Sequence, residues 1–200
     1  MKSRKNDIII KLLVRHIKSE KNLYTTFDHS SVHQKYSLES YIIEILYVLK
    51  TGISWRDIRS TINWNSIYKT YIKLNKYKIF QIVYIDLFKK YIEKSPNKKL
   101  RFVLTDTTFI PNKKGIDLIG YNKYYNKKNG TKLSLITGVN GHPFNVKCYK
   151  EYNSDSKILI DQLKIDNLVS LDHIGVYKEY FLADPGYDSI EIRKKLKSMK

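Results

Sequence analysis

Among 200 residues there is a single cysteine, Cys148. That excludes an internal disulfide framework and any zinc site built on several thiolates, and it agrees with a reducing compartment. No apolar run reaches the roughly 18 residues that a membrane-spanning helix needs, so no bilayer is expected among the partners. The basic start, Met1 to Asp7, leads only into the short run Ile8 to Val14, broken by Lys11. No small-residue cleavage site follows it, so a secretory signal is not expected either. Acidic residues are scarce, 19 against 37 Lys and Arg. There is no internal repeat and no low-complexity block beyond the general lysine enrichment.

What is present is a strong positive excess. The net charge is +18, and lysines interleave with many of the 17 tyrosines; the pI is near 9.7. Such a balance points to a polyanion held through its phosphates, with nucleic acid the natural partner. An AT-rich genome would also inflate Lys, Ile, Asn and Tyr, and charge does not separate an enzyme from a binding module. The 42% hydrophobic content suffices for a core, and the length fits one large domain or two small ones.

The first half reads as helical. Residues 8 to 17 suit a short amphipathic helix. The polar segment Tyr24 to Lys35 holds Asp28, His29 and His33 but lacks a period, so a solvated loop is expected there rather than a metal site. Ser37, or Ser40 as a second candidate, caps a helix that places Tyr41, Ile45, Val48 and Leu49 on one face and stops at Gly52. Ser54 with Asp57 resembles a capping box opening a short helix. Another helix follows Trp64 to Ser66 with Ile67, Tyr71 and Leu74 in step, and a further one runs to about Glu93 on Phe80, Val83, Tyr84 and Leu87. Short helices joined by tight turns suit a helix-turn-helix-like module, with a plain helical packing domain as the alternative.

Ser95 to Lys99 is polar, charged and proline-containing, and sets a domain boundary between residues 1–95 and 96–200. Beyond it the period changes. Phe102 to Leu104 predicts a short strand ending on Asp106. A loop follows from Pro111 to Gly130, then a strand from Thr131 to Gly138, a turn at Asn140-Gly141 and a return strand from Pro143 to Tyr149. Ser154 opens a helix with Ile158, Leu159 and Leu163, and Asp155 suits the dipole in its first turn. Tyr180 to Ala183 predicts a strand ending on Asp184, before a last helix from Ser189 capped by Asp188 or Ser189. The order describes an α/β layer with a hairpin at one edge.

Two strand-end aspartates so far apart in sequence meet only if their strands are neighbours. If they do, a cation between them relieves their repulsion, and hard ions such as Mg²⁺ or Mn²⁺ prefer such oxygen ligands. Two such ions can activate a nucleophile and stabilise the leaving oxygen of a phosphodiester. Taken singly, Asp106 has another reading as a residue bonding a nearby backbone amide. Asp184 likewise reads as a turn former before Pro185-Gly186.

Five blocks, in order, carry a family resemblance. Tyr47-Val-Leu-Lys-Thr-Gly-Ile-Ser-Trp-Arg-Asp-Ile58 resembles the N-terminal signature of DDE-type insertion-sequence transposases of the insertion sequence five group, and Trp64-Asn-Ser-Ile-Tyr68 the segment after it. Thr105-Asp-Thr-Thr108 resembles the first catalytic block, Gly130 to Pro143 the hairpin block, and Ala183-Asp-Pro-Gly-Tyr-Asp-Ser189 the second catalytic block. The resemblance implies a helical domain followed by a partial ribonuclease-H-like mixed sheet core, acting on double-stranded DNA at element ends and target. In that scheme water activated by Mg²⁺ or Mn²⁺ cleaves at element ends, and the freed 3′-hydroxyl attacks target DNA.

Carried over, Asp106 and Asp184 are the first two acids of the catalytic triad and metal ligands. Arg56, Lys123, Lys127, Lys128 and Lys132 are candidate DNA contacts. The family's third acid, a Glu on a later helix, has no counterpart here, and neither Glu191 nor Asp188 replaces it. The expectation is therefore a truncated or split transposase, as a homodimer or with a second polypeptide or frameshifted extension supplying that acid. The alternative is a non-catalytic DNA-binding remnant that regulates a full-length enzyme. The expected location is cytoplasmic and nucleoid-associated in a prokaryote, or the nucleus or a viral factory otherwise.

Overall fold

The structure, a computed structural model, describes residues 4–20, 24, 36–94, 102–112, 117–122, 128–138, 141–164 and 180–198. The boundary expected over Ser95 to Lys99, the Asp28, His29 and His33 segment, Asn140, Lys123 and Lys127 lie outside the described residues. The chain divides into two compact units, Met1–Phe88 and Lys89–Lys200. No described helix is long and apolar enough to cross a membrane.

The first unit is helical: α1 (Arg4–Ser19), α2 (Leu38–Thr51), a 3-10 turn (Trp55–Asp57), α3 (Trp64–Lys76) and α4 (Ile79–Lys94), which runs past its end. Leu13, Ile17, Ile42, Ile45, Ile67, Leu74 and Ile79 form its core. Ser37, not Ser40, caps α2, because its side chain accepts from the Ser40 amide. Gly52 closes the helix with φ of 69°, a left-handed value that favours glycine. Two sequence expectations fail here. Leu49 is 50% exposed, because the buried stripe follows Leu38, Ile42, Ile45 and Val48 and turns Leu49 outward. Ser54 makes no side-chain cap; the Asp57 amide bonds its carbonyl instead, at 2.9 Å, closing a single 3-10 turn in place of a helix.

The second unit holds a mixed sheet of five strands: β1 (Phe102–Pro111), β2 (Gly120–Asn122), β3 (Lys128–Gly138), β4 (Pro143–Lys150) and β5 (Tyr180–Leu182). β3 pairs antiparallel with β1 on one side, and with β2 and then β4 on the other. β5 lies parallel to β1 on its far side. Between β4 and β5 comes α5 (Asp155–Gln162); after β5 come a 3-10 turn (Pro185–Tyr187) and α6 (Ile190–Lys197). An antiparallel meander followed by a helix and a strand parallel to the first is a ribonuclease-H-like layer. The architecture is thus a helical unit followed by a ribonuclease-H-like mixed sheet.

Three boundaries differ from those the sequence predicts. β1 does not end at Asp106 but continues to Pro111, because Thr107 to Pro111 pair with Gly130 to Ser134. β3 begins at Lys128 rather than Thr131, and the expected loop contains β2. Gly130 permits this close pairing, since a Cβ there would meet the Phe109 ring and the Ile110 carbonyl. At the other end of β3, Gly141 turns the hairpin with φ of 73°.

Strand alternation gives the sheet two faces. Thr105, Thr107, Ser134, Ile136, Asn145, Lys147 and Tyr149 share the face that carries α5. Ser134 Oγ donates to Gln162 Oε1 at 2.6 Å, and Gln162 Nε2 donates to Asn145 Oδ1 at 3.1 Å. At the edge of this face Asp161 accepts from Lys147, from the Tyr149 hydroxyl at 2.9 Å and from Lys164 at 3.2 Å. These donors, Lys147 foremost, hold the Asp161 carboxyl down at about 2 against the opposing effect of burial. Burial, with Asp161 next to it, pushes the Tyr149 hydroxyl up. Leu104, Asp106, Thr108, Leu135, Val146 and Leu182 occupy the other face, where Leu104, Val146 and Leu182 are 37%, 41% and 46% exposed.

A carboxyl whose value is lowered on folding stabilises the fold above its ordinary value of 3.8, and that stability is lost as pH falls toward about 2. Asp161→Asn is therefore expected to destabilise the protein by about 1 kcal/mol at pH 7, a figure kept small by the partial exposure of the cluster. Urea titrations should show the difference from the parent shrinking as pH falls below 3.8.

Candidate metal centre

The parallel pairing of β1 with β5 sets Phe102 against Tyr180, Val103 against Phe181 and Leu104 against Leu182. Two residues beyond the last pair on each chain lie Asp106 and Asp184. Both line one depression of about 500 Å³ with Leu104, Thr105, Leu135, Thr137, Leu182 and Ala183. Asp106 reaches it from the middle of its strand, because alternation turns it to the face opposite α5.

Each aspartate is held by one oxygen. Asp106 Oδ1 accepts from the Thr107 amide at 2.7 Å. Asp184 Oδ1 accepts from the Gly186 amide and so caps the 3-10 turn, in which Pro185 is pre-set for the first position. Gly186 is needed for this approach, since a Cβ there would lie 2.9 Å from that oxygen. The backbone-bonding and turn-forming roles open to these residues are therefore both filled, yet each uses a single carboxylate oxygen. Among the described residues neither Oδ2 has a hydrogen-bond partner.

Behind this pair, on the α5 face, stands a polar cluster. Thr107 Oγ1 donates to Asp155 Oδ1 at 3.0 Å, and Lys132 Nζ donates to the same oxygen at 2.9 Å and to the Asn153 carbonyl at 3.0 Å. Tyr187, 4% exposed, is buried close by. Its hydroxyl lies beside Thr107 without forming a hydrogen bond of ordinary geometry. Burial pushes that hydroxyl up, Thr107 opposes it, and the charges of Asp155, Asp106 and Asp184 add to the rise. Tyr187 thus feels all three carboxylates at once.

The candidate DNA contacts fall differently. Arg56 is exposed, with its guanidinium 5.4 Å from the centre of the Trp64 ring. Lys128 is exposed at the start of β3. Lys132 is turned inward: its side chain is 14% exposed and ion-paired with Asp155, which leaves it poorly placed to meet a phosphate. Ser189, not Asp188, caps α6 by accepting from the Ile192 amide, while Asp188 is taken by a two-pronged pairing with Arg193.

Among the described residues no three His, Cys, Asp or Glu side chains gather closely enough to hold a metal ion. The pair supplies two oxygens without partners among the described residues, both hard donors on side chains that line one open depression. That donor set fits Mg²⁺ or Mn²⁺, which keep several waters, and does not fit a closed zinc site. Thr107, Asp155 and Tyr187 were not legible as parts of the site. Asp155 reads in sequence as an ordinary first-turn acid, and only its pairing with Lys132 and Thr107 places it behind Asp106.

No family model and no curated protein matches the chain. It is similar to a solved structure described as the Mos1 transposase paired-end complex with left transposon end, at a TM-score of 0.32 and 11% identity. The match covers 92% of this chain and 65% of that one, so the chain spans just under two thirds of that chain's length. A likeness so faint carries no functional weight.

Lys132→Met would leave Asp155 half-buried without its cation, at an expected cost of about 1–3 kcal/mol in urea unfolding. Adding Asp155→Asn should recover part of the loss, with a coupling of about 1 kcal/mol in the double-mutant cycle. Additive effects would show that the pair does not act as a unit.

Proposed function

We propose that the chain is part of a DDE-type transposase of the insertion sequence five group, acting in DNA transposition. The observation that supports this reading is that Asp106 and Asp184 line one depression beside the paired strands β1 and β5, each with one carboxylate oxygen unengaged among the described residues. In this reading residues 1–95 bind DNA and residues 96–200 carry the catalytic core. Asp106 and Asp184 hold Mg²⁺ or Mn²⁺, while the Thr107 and Gly186 amides fix their orientation. When bound, such an ion supplies Lewis acidity to a phosphodiester and lowers the pKa of an attacking water. Arg56 in the helical unit, and Lys128 in the sheet unit with Lys123 and Lys127 beside it in sequence, hold phosphates of the DNA backbone.

A second reading, a DNA-binding regulator without catalysis of its own, is favoured by the gathering of only two carboxylates among the described residues. The two readings share DNA binding and differ at the metal. Mn²⁺ binding, followed by electron paramagnetic resonance, is expected for the parent chain and weakened about tenfold or more in Asp106→Asn and in Asp184→Asn. Duplex binding should be unchanged in both variants. Equal Mn²⁺ uptake by all three proteins would remove the metal centre and leave the regulator.

Gly186→Ala gives an independent check on orientation. The added methyl group displaces the Asp184 carboxylate without touching the core, so Mn²⁺ affinity should drop severalfold while the urea midpoint moves little. A variant that binds Mn²⁺ like the parent would show that the Gly186 amide does not aim Asp184.

A further inference from the structure

Among the described helices, α3 alone carries no Asp or Glu. Its inner stripe, Ile67 and Leu74, is fully buried. Its outer stripe is exposed and consists of Asn65, Tyr68, Lys69, Ile72, Asn75 and Lys76. Tyr68 is 38% and Ile72 is 47% exposed, an unusual pair to leave in water on a helix face otherwise made of amides and lysines. The 3-10 turn is stapled against the start of this helix: the Trp55 ring lies 5.4 Å from Tyr68 and 5.0 Å from Tyr71. Arg56, over Trp64, extends the basic surface at the helix's N-terminal end, with Asp57 the one carboxylate of that turn.

These side chains form a matched set. An asparagine amide bonds both edge groups of adenine in the major groove, an exposed aliphatic meets the thymine methyl, and lysines meet phosphates. With 13 residues, α3 is about 20 Å long, ample to cross a major groove about 12 Å wide. A second copy of the chain is a poor occupant for this face, because two such surfaces would repel. The geometry points to α3 as the element that enters the major groove of double-stranded DNA, with Asn65 and Ile72 toward base edges and Lys69, Lys76 and Arg56 on phosphates. This rests on the reading of the helical unit as DNA-binding, and adds which helix, which groove and which side chains.

The test starts by selecting a preferred sequence for the full chain from a pool of random DNA duplexes. Binding of the selected and of unselected duplexes is then compared by fluorescence anisotropy across a salt series. Alanine suits a helix and these positions are exposed, so the variants keep the fold. Asn65→Ala and Ile72→Ala should each weaken the selected duplex about tenfold and leave unselected duplexes unaffected. Lys69→Ala with Lys76→Ala should weaken both equally and lower the salt slope by about 2. If the parent binds DNA but these variants bind and select as it does, α3 is not the reader and the DNA-binding reading survives. Absence of any selected sequence, equal binding of an RNA duplex, or variants that change self-association rather than DNA affinity would each overturn the groove assignment. A parent chain that binds no duplex at all would sink both readings.

Discussion

The three-residue parallel pairing of β1 with β5 is the constraint on which the candidate site depends. Only this pairing brings Asp184 beside Asp106, and its register decides whether they face the same side. A slip of one residue would turn one carboxylate through the sheet. So short a strand is not held by its ladder alone. The stacked rings of Phe102 and Tyr180, 5.2 Å apart, pin its first pair. Beyond its end, the buried Tyr187 anchors the turn that Asp184 caps. The aspartate pair therefore sits between two aromatic anchors, one before it and one after it in the chain.

Thr107 ties this front to the layer behind. Its amide serves Asp106 on one face of the sheet and its hydroxyl serves Asp155 on the other. A single residue thus couples the orientation of a candidate ligand to a partly buried ion pair and to the start of α5. In small basic proteins lysines usually serve as solvated charge. Lys132 departs from that pattern, since its ammonium is engaged by Asp155 and the Asn153 carbonyl.

Much of this was legible in the residues. Capping by Ser37, the stop at Gly52, the helical period around Ile67 and Leu74, and the hairpin glycine all act locally, so sequence displays them. So do apolar runs leading to a carboxylate, which marked both Asp106 and Asp184. The extension of β1 through Thr107 to Pro111 was not legible, because the apolar run stops at Leu104, a proline ends the stretch, and its ladder comes only from the partner strand. The inward turn of Lys132 was hidden for a similar reason: its partner Asp155 lies 23 positions away, and no local pattern announces the pairing. Leu49 was misplaced by one helical step, and Ser54 stands at the expected cap position but caps through its carbonyl, the scale at which packing overrides local preference.

The leucines around the aspartates carry a last consequence. Leu104 and Leu182 leave the depression bordered by hydrocarbon but open to water, so the two negative charges are well screened. In the metal-binding reading, anything apolar laid over that border would exclude water, sharpen their mutual repulsion and tighten their grip on a cation by the same stroke. The affinity of such a site is then governed by how wet it is, through side chains that touch no ion.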